Sequence, residues 1–492
     1  MATKTAAKEQ FVSFASHTAE EVSEKRHRVE IDDSVTSPVV LFFLTGIGWL
    51  VFGSLAGLLA ALKFNLPDWL GGTPFLTFGR IRPVHLNAVM YGWASLAGAG
   101  MIVWLTSRLC RAKIEATWAL YISALLWNIG VAFGLVSLFF GYNQGMEWLE
   151  FPKPAGGLIA LGFLFFAYSI VQTFRKRQVE HLYVSLWYIL ASLIWFPLLY
   201  VVANLGIYHG VTEAAMNWWF GHNALAVWFT PIGLAGAYYF IPKVIGRPIY
   251  SYYLGLLGFW AFALFYNWNG IHHLVGGPLP TWLVTVSIVA SVMMFVPVMA
   301  VAVNHHLTTI GHFTMLKFSP TLRFVVFGSM SYTAVSFQGS IESLRSFSEV
   351  AHFTHYTIGH AHLGVYGFLS MILFGAVYYI MPRIAKWEWP YPNLIKLHFW
   401  MSAIGIALYV VALNVGGWIQ GTLMNDPTLP FIVSVNATKP YLWARSIGGA
   451  LMLIGHIAFA FQFLLIMYRS GPTRYVPAWF ELRQPNQEKT SL

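Results

Sequence analysis

The sequence predicts an all-α, polytopic membrane protein with about twelve transmembrane helices. Hydrophobic residues make up 57% of the chain and charged residues only 10%, whereas soluble domains average about 45–50% and about 25%. A soluble protein so poor in charge would expose large apolar patches. Apolar runs long enough to cross a bilayer, about 20 residues each, also recur along the chain between polar turns.

Taken in order along the chain, these runs give twelve predicted spans. The predicted spans are 37–63, 85–108, 115–140, 155–174, 181–206, 215–242, 250–273, 279–303, 322–343, 353–381, 394–418 and 440–468. Proline- and glycine-containing turns separate them, such as Leu66-Pro67-Asp68 and Gly276-Gly277-Pro278. The pattern shows no internal repeat and no second domain.

Three regions are expected on this basis. Residues 1–34 are polar and lack the apolar core of a signal peptide, so we expect a cytoplasmic tail. Residues 35–470 form the membrane domain, and residues 471–492 form a second cytoplasmic tail. With the N-terminus inside, 22 of the 29 lysines and arginines fall on the inner side, which predicts cytoplasmic termini in a bacterial inner membrane.

The net charge of +10 does not indicate a nucleic-acid partner, because the basic residues are scattered in short loops and form no continuous stripe. Membrane lipid explains them better. The single cysteine, Cys110, excludes a disulfide framework and a thiolate metal cluster within the chain.

Six histidines lie within or at the ends of predicted spans, where ionisable groups are costly and usually functional. They belong to four different spans: His85, His222, His272, His273, His360 and His362. The predicted topology places all six in the outer part of the membrane, a coincidence that random placement would rarely give.

The spacing of these histidines indicates which of them can share a metal. His360 and His362 point about 200° apart on a helix, so they can hold two different cofactors. His272 and His273 diverge by about 100° and can reach one ion if the helix end is slightly irregular, with His222 as a third ligand. Neutral imidazole suits iron and copper, and His85 remains to pair with a histidine of span ten.

Four motifs resemble the haem–copper oxygen reductases, and specifically the catalytic subunit of the C family, the cbb3-type cytochrome c oxidases. They are Gly79-Arg80-Ile81-Arg82-Pro83-Val84-His85, Trp219-Phe220-Gly221-His222-Asn223-Ala224, Tyr266-Asn267-Trp268-Asn269-Gly270-Ile271-His272-His273 and Thr357-Ile358-Gly359-His360-Ala361-His362. The resemblance covers residues 37 to 470 or thereabouts and implies the haem–copper oxidase subunit I fold.

The resemblance implies a role for each histidine. His85 and His362 would ligate a low-spin haem b, and His360 would be the proximal ligand of a high-spin b-type haem. Copper (CuB) facing that haem would be held by His222, His272 and His273, with dioxygen reduced to water between iron and copper. Electrons would come from membrane-anchored c-type cytochrome subunits, monohaem, dihaem or both.

Tyr266 resembles the tyrosine that, in C-family enzymes, is covalently joined to the first copper histidine and supplies an electron and a proton. The A family carries its tyrosine four residues after that histidine, and this chain has Ala226 there.

The outer side of the predicted bundle carries further candidates. Glu147 and Glu150 resemble the acidic pair of the family at which calcium is expected, and carboxylate oxygen suits calcium. Arg80, Arg82 and Arg445 run against the charge bias, and bidentate pairing with haem propionates would offset their cost. His352 is a further candidate for a propionate contact.

Three positions depart from the family pattern along the expected proton route. Gln338 stands where the family has glutamate, and Gly255 and Gly258 stand where it has serine and histidine. Ser329, Ser331, Tyr332 and Thr333 are candidates for a substitute route with water. Proton pumping is therefore an open question.

Two other functions stay open. A nitric oxide reductase of the same superfamily would have non-haem iron with nearby glutamates and no active-site tyrosine, so Tyr266 argues against it. A twelve-span secondary transporter would often show paired broken helices in two halves, and the chain shows no such pair.

Overall fold

Twelve long helices make up the bundle in the computed structural model, which describes residues 19–471. We number them in chain order: α1 Ala19–Leu62, α2 Phe78–Cys110, α3 Thr117–Phe139, α4 Lys153–Arg175, α5 Val184–Asn204, α6 Val211–Ile245, α7 Tyr252–Phe265, α8 Thr281–Thr309, α9 Pro320–Glu342, α10 His355–Ala385, α11 Pro392–Met424 and α12 Phe431–Met467. Ten of them are long and apolar enough to cross a membrane. The exceptions are α7, which has 14 residues and continues as the 3₁₀ segment Tyr266–Leu274, and the more polar α9. The predicted fold class is confirmed, with each predicted span on its own helix.

Three helices form the centre of the bundle. The apolar windows of α2 and α6 are each 94% buried inside the protein and that of α10 is 83% buried, whereas those of the other candidate spans are 39–56% buried. A helix that is apolar all round belongs in an interior position. These three helices carry four of the six candidate histidines, so the candidate ligands lie where lipid and water have least access.

The same three helices contain π-helical segments next to their histidines. The segments are Ala88–Ala94 after His85, Leu225–Phe229 after His222, and Leu363–Ser370 directly after His362. Such wider turns are uncommon and occur frequently at functional sites. The irregularities of α2, α6 and α10, together with the 3₁₀ segment after α7, therefore converge on one region.

Close backbone contact between neighbouring helices depends on glycine. At the α11–α12 crossing, a Cβ added to Gly405 would lie 2.8 Å from the carbonyl oxygen of Gly448, and one added to Gly448 would lie 2.6 Å from that of Gly405. Small residues at an interface let membrane helices approach in this way. The α11–α12 pair also carries Tyr409 and Arg445 toward the centre.

The polar segment expected as a tail is helical from Ala19 onward, so α1 begins 18 residues before the predicted start of the first span. Its charges are paired: Arg108 lies 3.3 Å from Asp32, and Lys386 lies 2.7 Å from Asp33. These pairs tie α1 to the end of α2 and to the segment after α10, which explains why the helix extends past its apolar part. The rest of the expected tail and residues 472–492 lie outside the described residues.

Candidate metal and haem site

Three histidine side chains converge where α6 meets the 3₁₀ segment after α7. One ring nitrogen from each of His222, His272 and His273 lies within 4.8 Å of the others. The ring centroid of His222 lies 4.9 Å from that of His272 and 5.3 Å from that of His273. Three imidazoles with an open fourth position form a site suited to copper or another transition metal.

The local structure explains how consecutive histidines reach one point. The 3₁₀ segment Tyr266–Leu274 replaces the regular α-helical turn, so His272 and His273 tilt toward the same side, with ring centroids 4.5 Å apart. Gly270 allows the segment to approach α6, because a Cβ there would collide with the backbone of Trp218. Asn223 Nδ2 donates to the carbonyl oxygen of Asn267 at 3.0 Å and fixes the contact.

Neighbouring groups orient each of these rings. His272 Nδ1 is 2.8 Å from Ser291 Oγ, and Trp218 stacks on His273 at 4.2 Å. The Nδ1 atom of His222 is buried and has no hydrogen-bond partner among the described residues. Buried polar atoms normally have a partner, so an unpartnered ring nitrogen in a three-histidine group fits a site for a metal ion.

Tyr266 lies against this group. Its ring centroid is 5.1 Å from that of His222, with the rings tilted by 44°. The structure thus brings together the tyrosine and the histidine that the resemblance pairs, although they are 44 positions apart in the chain.

His85 on α2 and His362 on α10 face each other across a gap. Their ring centroids are 6.2 Å apart and the rings are within 10° of parallel. An imidazole nitrogen lies about 2 Å from a transition-metal ion, and the ring centre about 1 Å farther, so two rings on opposite sides of one ion have centroids about 6 Å apart. The spacing therefore fits two imidazoles that would hold one metal ion between them.

The backbone hydrogen bonds of this pair indicate which nitrogen of each ring carries the proton. His85 Nδ1 donates to the Gly53 carbonyl oxygen at 2.7 Å, and His362 Nδ1 donates to that of Ile358 at 2.8 Å. Because a carbonyl only accepts, each Nδ1 carries the proton and each Nε2 keeps its lone pair. The hydroxyl oxygen of Tyr409, a residue that was not predicted from the sequence, lies 3.2 Å from His362 Nε2.

His360 faces the opposite side of α10, toward α9. Its ring packs on Gly339, where a Cβ would lie 3.0 Å from His360 Cε1. Its Nδ1 is 3.6 Å from a carboxylate oxygen of Glu342. That nitrogen and both Glu342 oxygens are buried with no hydrogen-bond partner among the described residues.

Glu342 was missed by the sequence reasoning, although it lies one helical turn after Gln338 and so shares its face of α9. Metal-bound histidines commonly donate their second N–H to a carboxylate. A slight approach of His360 to Glu342 would complete that arrangement.

Comparisons with known proteins agree with this geometry. The family model described as cytochrome c and quinol oxidase polypeptide I matches residues 37–451. The cbb3-type cytochrome c oxidase subunit CcoN1 of Stutzerimonas stutzeri is 31% identical over 451 residues, which cover 88% of this chain and 95% of that protein. A nitric oxide reductase subunit of the same organism is 24% identical, with 87% of this chain and 94% of that protein covered.

A solved structure shares the fold. The cryo-EM structure of a heme-copper terminal oxidase dimer superimposes with a TM-score of 0.70 at 15% identity, covering 90% of this chain and 85% of that chain. The chain belongs to the haem–copper oxidase family. The sequence-based identification, including its likeness to cbb3-type subunits, is confirmed.

This haem–copper oxidase subunit is therefore a multi-pass membrane oxidoreductase, and family membership implies haem and copper as cofactors. A single cavity of about 410 Å³ is lined by all six histidines and by Tyr266. Its volume lies in the usual range for ligand sites, about 300–1,000 Å³. The unpartnered nitrogens and the spacing of the paired rings fit the implied groups.

Three of the four residues predicted to contact haem propionates line the oxidase cavity. These three are Arg82, Arg445 and His352. Arg445 also donates from Nε to the Tyr409 hydroxyl at 3.1 Å, and burial lowers the pKa of His352. Arg80 does not line the cavity, because it donates to the Phe139 carbonyl oxygen at 3.0 Å.

Both members of the predicted acidic pair, Glu147 and Glu150, lie near Arg82. Glu147 forms an ion pair with Arg82, and Glu150 lies 4.0 Å from it. Asn87 Nδ2 donates to Glu150 Oε2 at 3.0 Å, whereas the buried Oε1 has no hydrogen-bond partner among the described residues. Burial raises the pKa of the Glu150 carboxyl to about 7. An unpartnered buried oxygen beside a second carboxylate is a group that a calcium ion fits.

The structure also shows the hydrogen bonding of residues along the expected proton route. Gln338 Nε2 is buried without a partner among the described residues. Ser329 Oγ lies 2.8 Å from His305 Nδ1, and Thr333 Oγ1 lies 3.5 Å from His306 Nε2. The two histidines of α8 were not predicted as site residues. They place ring nitrogens beside the hydroxyl-rich stretch of α9 that the sequence offered as a substitute.

Tyr332 and Ser331, the other two candidates on α9 for the substitute proton route, have different surroundings. Tyr332 lines the cavity and its hydroxyl has no hydrogen-bond partner among the described residues, whereas Ser331 is buried at the contact between α9 and Gly367 of α10. A Cβ at Gly255 would make ordinary contacts at 3.5 Å or more, and one at Gly258 would lie 3.2 Å from Val301. The packing thus leaves more room for a side chain at Gly255 than at Gly258.

Proposed function

We propose that this chain is the catalytic subunit of a cbb3-type terminal oxidase, which reduces dioxygen to water. The observation that carries the proposal is the group of three histidine nitrogens within 4.8 Å of one another with Tyr266 at 5.1 Å from His222. The copper ligands are His222, His272 and His273, the high-spin haem ligand is His360, and the low-spin haem b ligands are His85 and His362.

The implied haems and copper supply the one-electron chemistry and the site at which dioxygen binds. The protein's part is to hold ligands and to place protons. Tyr266 carries a phenolic proton at the edge of the three-histidine group, and its contact with His222 is the one that a covalent link would need. Ser291 and Trp218 hold His272 and His273 so that their lone pairs stay directed at a common point.

Candidate residues on the outer side of the bundle, together with the electron donors, complete the proposal. Arg82, Arg445 and His352 pair with the haem propionates in this proposal, which is supported by their position in the cavity lining. Glu147 and Glu150 are the candidate calcium ligands. Electrons come from membrane-anchored c-type cytochrome subunits on the outer side, with both termini of this chain in the cytoplasm, as the charge bias predicts.

A nitric oxide reductase is the second candidate, because the chain has lost three members of the usual proton route and shares 24% identity with a subunit of such an enzyme. Against it, the metal group found in the described residues consists of three histidines without a carboxylate. The carboxylate that the structure does provide, Glu342, lies beside His360.

The purified complex decides between these functions. We expect an optical spectrum with two b haems, one of which shifts on addition of carbon monoxide. Elemental analysis should give one copper per copy of this chain and two irons beyond those of the c-type haems, which are counted separately from their own absorption. Oxygen consumption with a reduced c-type cytochrome is the matching activity. Three irons beyond the c-type haems, without copper, would favour the reductase, and a complex without b haem would refute both.

A further inference from the structure

A hydrogen-bonded triad outside the proposed ligand set joins three helices beside the cavity. His456 of α12 lies with Nδ1 2.8 Å from Ser54 Oγ of α1 and with Nε2 2.8 Å from the Tyr366 hydroxyl of α10. His456 is only 2% exposed, and all three side chains line the cavity. The triad is therefore a built polar site facing the same space as the proposed haem ligands.

The triad is connected to both candidate ligands of the low-spin haem. Ser54 follows Gly53, whose carbonyl oxygen accepts the hydrogen bond from His85 Nδ1. Tyr366 lies four residues, about one turn, after His362 on α10. His456 thus bridges the two backbone segments that position the paired imidazoles.

The chemistry of the partners allows His456 to exist in two protonation states. A neutral imidazole offers one donor and one acceptor, and an imidazolium offers two donors. Hydroxyls can donate or accept, so Ser54 and Tyr366 satisfy both ring nitrogens of His456 in either state. The desolvation cost of a charged ring is therefore partly offset by hydrogen bonds that already exist.

The other two fully buried histidines of the described residues lack this property. His398 contacts the Tyr378 hydroxyl through Nδ1, and His305 contacts Ser329 through Nδ1. The Nε2 atom of each is buried without a partner there. An imidazolium at either position would leave a donor unsatisfied.

The surroundings of His456 provide little fixed charge to balance a proton. Tyr366 faces it from α10, and His398 faces it from α11 with ring centroids 6.3 Å apart. Ser54 is the polar group from α1, and on α12 the nearest charged group in sequence is Arg445, eleven residues away. A positive charge on His456 would therefore respond strongly to negative charge gained inside the cavity, where the low dielectric strengthens the interaction.

We infer that His456, held by Ser54 and Tyr366, is a redox-linked proton site of the low-spin haem, an inference that rests on the proposed function. When a one-electron donor reduces the haem held by His85 and His362, His456 takes up one H⁺ from the buffered aqueous phase and forms its second N–H bond. Reoxidation releases that proton. Charge in the cavity is balanced by one proton for one electron, and the coupling is reciprocal.

Spectroelectrochemical titration of the purified, haem-loaded complex at several pH values tests this inference. The midpoint potential of the low-spin haem in the wild type should fall as pH rises, approaching a tenfold change in the reduction equilibrium per pH unit, or 59 mV. His456→Gln should remove that dependence. Tyr366→Phe, which only deletes the hydroxyl at Nε2, should weaken it, and the matched control His398→Gln should retain it.

The possible outcomes are distinct. A wild-type potential that does not change with pH, or a His456→Gln variant with the wild-type slope, overturns the inference while leaving the oxidase assignment intact. Should His456→Gln fail to assemble, Tyr366→Phe decides in the same way, because an unchanged slope in that variant contradicts the role of the triad. A wild-type complex without a low-spin haem spectrum refutes the proposed function itself.

Discussion

Gly57 of α1 offers a sharp test of the proposed low-spin haem ligand. A Cβ at Gly57 would lie 2.5 Å from His85 Nδ1 and 2.6 Å from Cε1, whereas non-bonded heavy atoms normally approach to about 3.5–4.0 Å. In Gly57→Ala the His85 ring must therefore retreat by about 1 Å. Functional constellations tolerate displacements of only about 0.5 Å.

The expected result is loss of the paired-imidazole signature with the helix intact. The ring that retreats also loses its 2.7 Å hydrogen bond to Gly53, and losing such an outer partner typically costs about 10–100-fold in metal affinity or activity. The optical spectrum of Gly57→Ala should show conversion of the low-spin haem to a high-spin or absent form. Electron entry should slow at least about tenfold on the same reasoning.

Gly48→Ala is the matched control, because it lies on the same helix and its added Cβ would meet nothing within 4 Å. Both substitutions raise intrinsic helix propensity by about 1 kcal/mol, so a helix effect would be common to the two. A Gly57→Ala protein with a wild-type low-spin spectrum would refute the reasoning, as would equal losses in both variants.

Three further outcomes are expected. Tyr266→Phe should abolish dioxygen reduction while the iron and copper contents stay at wild-type values. The control Tyr253→Phe, at a residue that is 85% exposed, should leave turnover unchanged. Normal turnover in Tyr266→Phe would contradict the proposed role of Tyr266. Glu342→Gln should shift the iron–histidine vibration of the reduced high-spin haem, because glutamine is a weaker hydrogen-bond acceptor for His360. The control Glu349→Gln should leave this vibration unchanged. Identical spectra for Glu342→Gln and the wild type would show that Glu342 does not belong to the site. Calcium affinity, measured by equilibrium dialysis, should fall as pH drops through about 7, because Glu150 then takes up a proton. Without calcium, the raised pKa of Glu150 should make the folded protein lose stability as pH rises from its ordinary pKa of 4.5 to about 7, with no further loss from this group above that pH. A pH-independent calcium affinity would exclude Glu150 as a ligand.

Much of the fold could be predicted because its causes are local. Twelve apolar runs specify twelve helices, and each predicted span lies on the helix expected. Helix α1 begins 18 residues before the predicted first span. Hydropathy ends the apolar run near the charged Asp32 and Asp33, because it does not include their partners Arg108 and Lys386, which belong to distant segments.

The candidate site was predictable to the level of residue type. The six histidines and Tyr266 could be selected because ionisable groups in a bilayer are rare and because their motifs are distinctive. Glu342 was not predicted because the motif around Gln338 ends at Gly339, although the next residue on the same helical face is an acid. The triad of Ser54, Tyr366 and His456 was not predicted, since its members belong to three different spans and no motif links them.

The sequence by itself determined that the chain lies in lipid, how many helices it forms and which side chains are available to bind metal. These properties follow from composition and from the order of residues along each span. Only the tertiary structure decided that His85 faces His362, that Arg80 is turned to Phe139 and away from the cavity, and that His456 has a hydroxyl at each nitrogen. The physical reason is that these contacts depend on the rotation and crossing of helices that are remote in the chain. Those rotations are set in turn by π and 3₁₀ turns and by glycine contacts that no local hydrophobic pattern encodes.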